Sequence, residues 1–110
     1  MAGSNLFTGT LDLLILQSVE DEPQHGYAIG RWIRETSEDV LQVEEGVLYP
    51  ALHRLEAKSW LAASWGRTET NRRAKFYELT VAGRRALEAE SDRWTRHVNA
   101  VDRVLRARRA

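Results

Sequence analysis

The chain has 110 residues, 16 basic and 16 acidic side chains and no cysteine. That length holds one small domain and an extension but not two independent cores, and the absence of thiols excludes disulfides, thiolate metal sites and cysteine nucleophiles. No apolar run approaches the roughly 20 residues that span a bilayer, and the N-terminus lacks the basic flank and apolar core of a signal peptide, so a soluble cytoplasmic protein is expected, with no membrane partner. The balanced charge hides a division. Residues 1–50 carry 2 basic and 9 acidic side chains, whereas residues 51–110 carry 14 and 7. A polyanion would meet the second half. A domain this small also gains stability when a second subunit covers an apolar helix face.

In chain order, LFTGTLDLLILQSVE (6–20) is dense in Leu and Ile and predicts a buried helix, with Thr8 or Thr10 as its N-cap. DEPQHG (21–26) should turn the chain before YAIGRWIRETSE resumes a helical period, with Tyr27, Ile29, Trp32 and Ile33 as its apolar surface. EEGVLYPALHRLEAKSWL (44–61) predicts a third helix. Its Leu48, Ala51, Leu52 and Leu55 fall on one side, and Tyr49, His53, Arg54 and Ala57 fall mostly on the other. Pro50 removes a backbone donor and presses on the carbonyl of Gly46, so an irregular helix start is expected, with Gly46 free to adjust.

AASWGRTETNRRAKFYEL (62–79) loses the helical period and predicts two short strands, AASW and AKFYEL, joined by the polar turn WGRTETNRR. Thr80 is then an N-cap for a proline-free helix of about 28 residues, roughly 42 Å long. Leu87, Trp94, Val98, Val101 and Leu105 recur on it at spacings of 7, 4, 3 and 4. That seam suits another subunit or a fold-back onto the first helix.

Three helices followed by a hairpin and a long helix define the expected fold: mainly α with a β-hairpin, a winged helix-turn-helix with a C-terminal dimerisation helix. Residues 1–80 would form the DNA-binding domain and 81–110 the dimerisation helix. The third helix would enter the major groove, offering Tyr49, His53, Arg54 and Lys58, while Arg67, Arg72, Arg73 and Lys75 reach phosphates from the wing. Between Arg54 and Arg85 there are 8 basic and 3 acidic residues. Tyr49 either reads a base or phosphate or packs against Trp60 or Trp65. Glu44 and Glu45 suit the positive end of a helix better than they suit DNA. The alternative is a winged-helix module that docks a protein through exposed aromatic side chains, without DNA. His25, His53 and His97 fall on separate elements, and no metal, nucleophile or phosphate-loop motif occurs, so neither catalysis nor a cofactor is expected.

HGYAI (25–29), GVLYPALHRLE (46–56), RRAKFY followed by ELT (72–80) and the terminal amphipathic helix together resemble the PadR family of bacterial transcriptional regulators. The likeness runs from about Leu6 to Leu105, and within the family it resembles short-tailed members and an acidobacterial PadR-like subgroup. The resemblance implies a homodimeric repressor bound to an inverted-repeat operator of double-stranded DNA and released by an effector. It gives Tyr49 and its neighbours the major groove, Arg72, Arg73 and Lys75 the wing contacts, and Leu87, Trp94, Val98, Val101 and Leu105 the dimer interface. Trp94, with Val98, would either stack on a planar aromatic effector at the dimer centre or anchor the packing there.

Overall fold

The computed structural model describes residues 2–109, with side chains described from Gly9 onward. Helix α1 spans Ala2–Ser18. Neither Thr8 nor Thr10 stands at its start, because no proline interrupts the residues upstream and the helix continues through them. Leu11, Ile15, Leu16 and Val19 repeat at intervals of one helical turn and are buried. The turn that follows contains a strand too short to announce itself by alternation, β1 (Gln24–His25). His25 then caps α2 (Gly26–Thr36), its Nδ1 accepting from the Ala28 N–H at 3.3 Å.

Helix α3 (Glu45–Ala57) turns Leu48, Ala51, Leu52 and Leu55 inward. It is shorter than its apolar rhythm suggests. Ser59 takes a left-handed backbone (φ 63°), and the Trp60 N–H returns to the Leu55 carbonyl at 3.1 Å, which satisfies the last turn and ends the helix. Strands β2 (Leu61–Arg67) and β3 (Arg73–Leu79) form an antiparallel hairpin, and β1 adds to the other edge of β3. The hairpin reaches further than expected, since Gly66 and Arg67 pair with Ala74 and Arg73 instead of belonging to the turn. The turn shrinks to residues 68–72, closed by Thr68 N–H to Arg72 O at 2.9 Å and by left-handed Asn71 (φ 61°).

Helix α4 (Val81–Arg106) begins at Thr80, whose Oγ1 accepts from the Gly83 N–H at 2.9 Å and donates to the Ser59 carbonyl at 2.6 Å. The core is a single cluster drawn from α1, α2, α3, β2, β3 and Leu87 of α4. Beyond that first stretch α4 projects, which gives the molecule a 62 Å long axis against 29 and 27 Å across.

Gly83 lies where α4 crosses the end of α3: a Cβ there would sit 2.0 Å from the Trp60 carbonyl oxygen. A Cβ on Gly46, by contrast, would meet nothing within 4 Å. Gly83→Ala is therefore expected to destabilise the fold by about 3 kcal/mol, because backbone must move. Gly46→Ala is expected to raise stability by about 0.5 kcal/mol through helix propensity. Urea unfolding of both variants distinguishes the two glycines.

Candidate nucleic-acid interface

At roughly 100° per residue, the buried stripe of α3 leaves Gly46, Pro50, His53 and Ala57 as its outermost ridge, and the first two are exposed at its start. Tyr49 and Glu56 flank that ridge on the wing side, and Val47 and Arg54 on the α1 side. The ridge is small and uncharged, with His53 as its one hydrogen-bonding side chain. The helix runs unbroken through Pro50, and no glycine among the described residues has a positive φ, so the irregular start does not occur. Pro50 stands in the second turn, where the one bond it forfeits is to the exposed Gly46 carbonyl, which solvent can satisfy.

Tyr49 packs elsewhere than on a tryptophan. Its ring lies on Gly26 at the start of α2, where an added Cβ would come within 2.7 Å of it. Lys58 is exposed at the end of α3, its Nζ 4.6 Å from the centre of the Trp60 ring.

The strand register puts the wing's cations on one face. Leu61, Ala63, Trp65 and Arg67 lie opposite Leu79, Tyr77, Lys75 and Arg73, so a single face of the hairpin runs from core residues at its base to arginines at its tip. Arg73 is held 4.2 Å over the Trp65 ring, and Arg67 donates to the Asn71 carbonyl at 3.2 Å. Arg72, the last residue of the turn, is exposed.

The cationic and polar side chains expected at DNA divide by their partners. Arg54 turns to α1, where its Nη2 donates to Asp12 Oδ1, and its Nε is buried without a partner. Lys75 donates to Glu56 Oε1 at 3.0 Å and ties the wing to α3. Both are thereby engaged by carboxylates. Among the described residues Lys58, Arg67, Arg72 and Arg73 make no ion pair, and neither does Arg31 of α2.

Tyr49, the wing and the start of α2 enclose an open groove of about 900 Å³. Tyr27 and Arg31 line its α2 wall, with the Arg31 guanidinium 5.6 Å from the centre of the Tyr27 ring. These two were absent from the expected contacts; their i, i+4 spacing on one helix side was a signal, but Tyr27 read as core surface. It is in fact 62% exposed.

The terminal seam divides as well. Leu87 belongs to the core of its own domain, whereas Trp94, Val101 and Leu105 are exposed and Val98 is half-buried. Val104, at 75% exposure, joins this uncovered side.

Three helices closed by a three-stranded sheet with a basic hairpin tip make this a winged helix-turn-helix protein. The PadR-like transcriptional regulator family model matches residues 15–89, and the chain belongs to that family. It is 41% identical over 76 residues to the transcriptional regulator Rv3488 of Mycobacterium tuberculosis, covering 68% of this chain and 66% of the relative. A PadR family transcription regulator from hypervirulent Clostridium difficile superposes with a TM-score of 0.75 at 30% identity, over 86% of this chain and 97% of that one. A PadR family regulator from Eggerthella lenta gives 0.79 at 27% identity, over 97% and 91%. The family consists of transcription regulators, not enzymes, and no helix among the described residues is long and apolar enough to cross a membrane.

The Glu56 hydrogen bond holds the Lys75 ammonium above its ordinary 10.5, and burial holds the Tyr77 phenol above its ordinary 10.0. Both groups bind their proton more tightly when folded, so their contribution is complete below the unfolded values and is lost as pH rises through the folded ones. Stability is therefore expected to fall above about pH 10, and to fall less steeply in Lys75→Met, as followed by urea midpoints between about pH 9 and 11.

Proposed function

We propose that the protein is a sequence-specific DNA-binding repressor that acts as a homodimer on an inverted-repeat operator. Residues 1–80 are its DNA-binding unit and residues 81–110 its dimerisation helix, with the first two turns of that helix shared by the domain core. The observation that carries this reading is the groove that brings Tyr49 of α3 beside the unpaired Arg67, Arg72 and Arg73 of the wing. A bare α3 ridge can approach base edges closely while arginines one strand away hold phosphates. Gly46 has neither a packing nor a conformational reason here, and close approach of another backbone is the remaining use of a missing side chain. His53 and Tyr49 are the base-reading side chains, Lys58 and the wing arginines bind phosphate, and Arg54 and Lys75 position α3 through their carboxylate partners.

Dimerisation through α4 is supported by the apolar side that its own chain leaves uncovered from Trp94 to Leu105. Charge supports an antiparallel pairing: residues 88–93, before the uncovered side, carry Glu88, Glu90 and Asp92 against Arg93, and residues 102–109, at its end, carry Arg103, Arg106, Arg108 and Arg109 against Asp102. The terminal amphipathic helix resembles that of short-tailed members, and the QVEEGVLYPALHRLEAKSW and NRRAKFYELT stretches favour the acidobacterial PadR-like subgroup. For an effector, Trp94 and Val98 are the candidate contacts, since two indoles across a dimer axis would sandwich a planar aromatic molecule. A cytoplasmic setting follows from this role.

Binding to a labelled duplex from upstream of its own gene tests the reading. Arg72→Ala with Arg73→Ala is expected to weaken binding to every sequence and to lower the salt slope by about 0.9 for each phosphate no longer held, roughly 2 to 4 across a dimer. An unchanged slope would reject the wing's role. Salt-insensitive or absent binding by the wild type would transfer the winged helix to protein docking. Val101→Glu with Leu105→Glu is expected to sediment as a monomer and to lose operator affinity by about tenfold or more, because only a dimer engages both half-sites.

A further inference from the structure

We infer that the groove between α2 and the wing holds one sugar–phosphate strand of the bound duplex, with Arg31, seated on Tyr27, as the wall facing the wing arginines. This rests on the DNA-binding reading above. The groove has the shape for a strand, since it is open and about 900 Å³ in volume, with Tyr49 at its α3 end. Its charge fits the same occupant: five basic side chains line it against two acidic ones, Glu22 and Glu69.

The arrangement of the cations says more than their number. Arg34 is neutralised by Asp39 at 3.7 Å, Arg54 by Asp12, and Lys75, which itself lines the groove, by Glu56, whereas Lys58 at the end of α3 is unpaired among the described residues but lies outside the groove. The arginines facing each other across the groove, Arg31 on one side and Arg67, Arg72 and Arg73 on the other, have no carboxylate partner among the described residues. Arg31 and Arg73 are instead each laid on an aromatic ring, Tyr27 at 5.6 Å and Trp65 at 4.2 Å. A ring orients a guanidinium and limits its rotamers without cancelling its charge, which leaves its N–H groups for phosphate oxygens. Two walls built alike, on α2 and on the wing, straddle one polyanionic strand. Tyr27 is accordingly a positioning residue that also offers a hydroxyl, and its 62% exposure beside a charged partner has no counterpart in the core.

The test measures affinity and salt slope on the upstream duplex for Arg31→Ala, Arg31→Lys, Arg31→Glu, Tyr27→Phe, Tyr27→Ala and the Tyr27→Ala, Arg31→Ala pair, with thermal midpoints to confirm folding. Arg31→Ala is expected to weaken binding roughly tenfold at about 0.1 M salt and to reduce the slope by about 0.9 per phosphate released. Arg31→Lys should recover most of the slope, and Arg31→Glu should weaken binding further. Tyr27→Phe should keep the slope, whereas Tyr27→Ala should lower it as Arg31→Ala does, with little further change in the pair. An unaltered slope in Arg31→Ala and Arg31→Glu, alongside a reduced slope in the Arg72→Ala, Arg73→Ala protein, would overturn the groove assignment and leave DNA binding standing. Wild-type protein without salt-sensitive binding would overturn both.

Discussion

The Trp60 carbonyl is where the parts of this molecule are joined. It accepts the Thr80 N–H at 3.1 Å and the Thr80 hydroxyl at 3.2 Å, and Gly83 crosses it with no side chain between. Trp60 follows the end of α3 and leads into β2, while Thr80 follows β3 and starts α4. One carbonyl therefore ties α3, both wing strands and the projecting helix to a common point. Their relative placement is set by backbone hydrogen bonds and a van der Waals limit, which tolerate little drift. Without that junction, the basic face of the hairpin and the ridge of α3 would have no fixed relation.

Electrostatics then separates the cations into paired and unpaired. Carboxylates on α1 and α3 take Arg54 and Lys75, and each such pair fastens α3 to a neighbour. These pairs are partly exposed, so their value lies more in geometry than in net stability. Arg31 and Arg73 have aromatic neighbours instead, Arg67 a backbone carbonyl, and Arg72 is exposed at the tip. In general a polyanion site needs free charge to attract phosphate and pinned charge to hold neighbouring elements in place. Both kinds of cation occur here at zero formal net charge.

Much of this was legible in the residue order. The buried stripes of α1 and α3, the hairpin and the Thr80 cap all follow from periodicity and capping chemistry, which are local. β1 was not legible, because two residues carry no alternation and become a strand only by meeting β3. The extent of the wing was misjudged at Gly66 and Arg67, where turn-forming composition was overridden by pairing with Ala74 and Arg73 across the hairpin. Pro50 raised an expectation of irregularity that its exposed position in the second turn does not require.

The sequence by itself determined which residues are apolar at helical spacing, where helices start, and that most of the basic charge lies in its second half, for these depend on neighbours within a few residues. Only the tertiary structure decided which cations are free. Asp12 and Arg54 are 42 residues apart and Glu56 and Lys75 are 19 apart, and nothing in the local pattern marks either pair. Folding likewise took Leu87 into the core, left Trp94 outside it and set Tyr27 and Arg31 across a groove from the wing. These outcomes depend on which surfaces meet when the helices pack, a long-range condition that spacing along the chain does not encode.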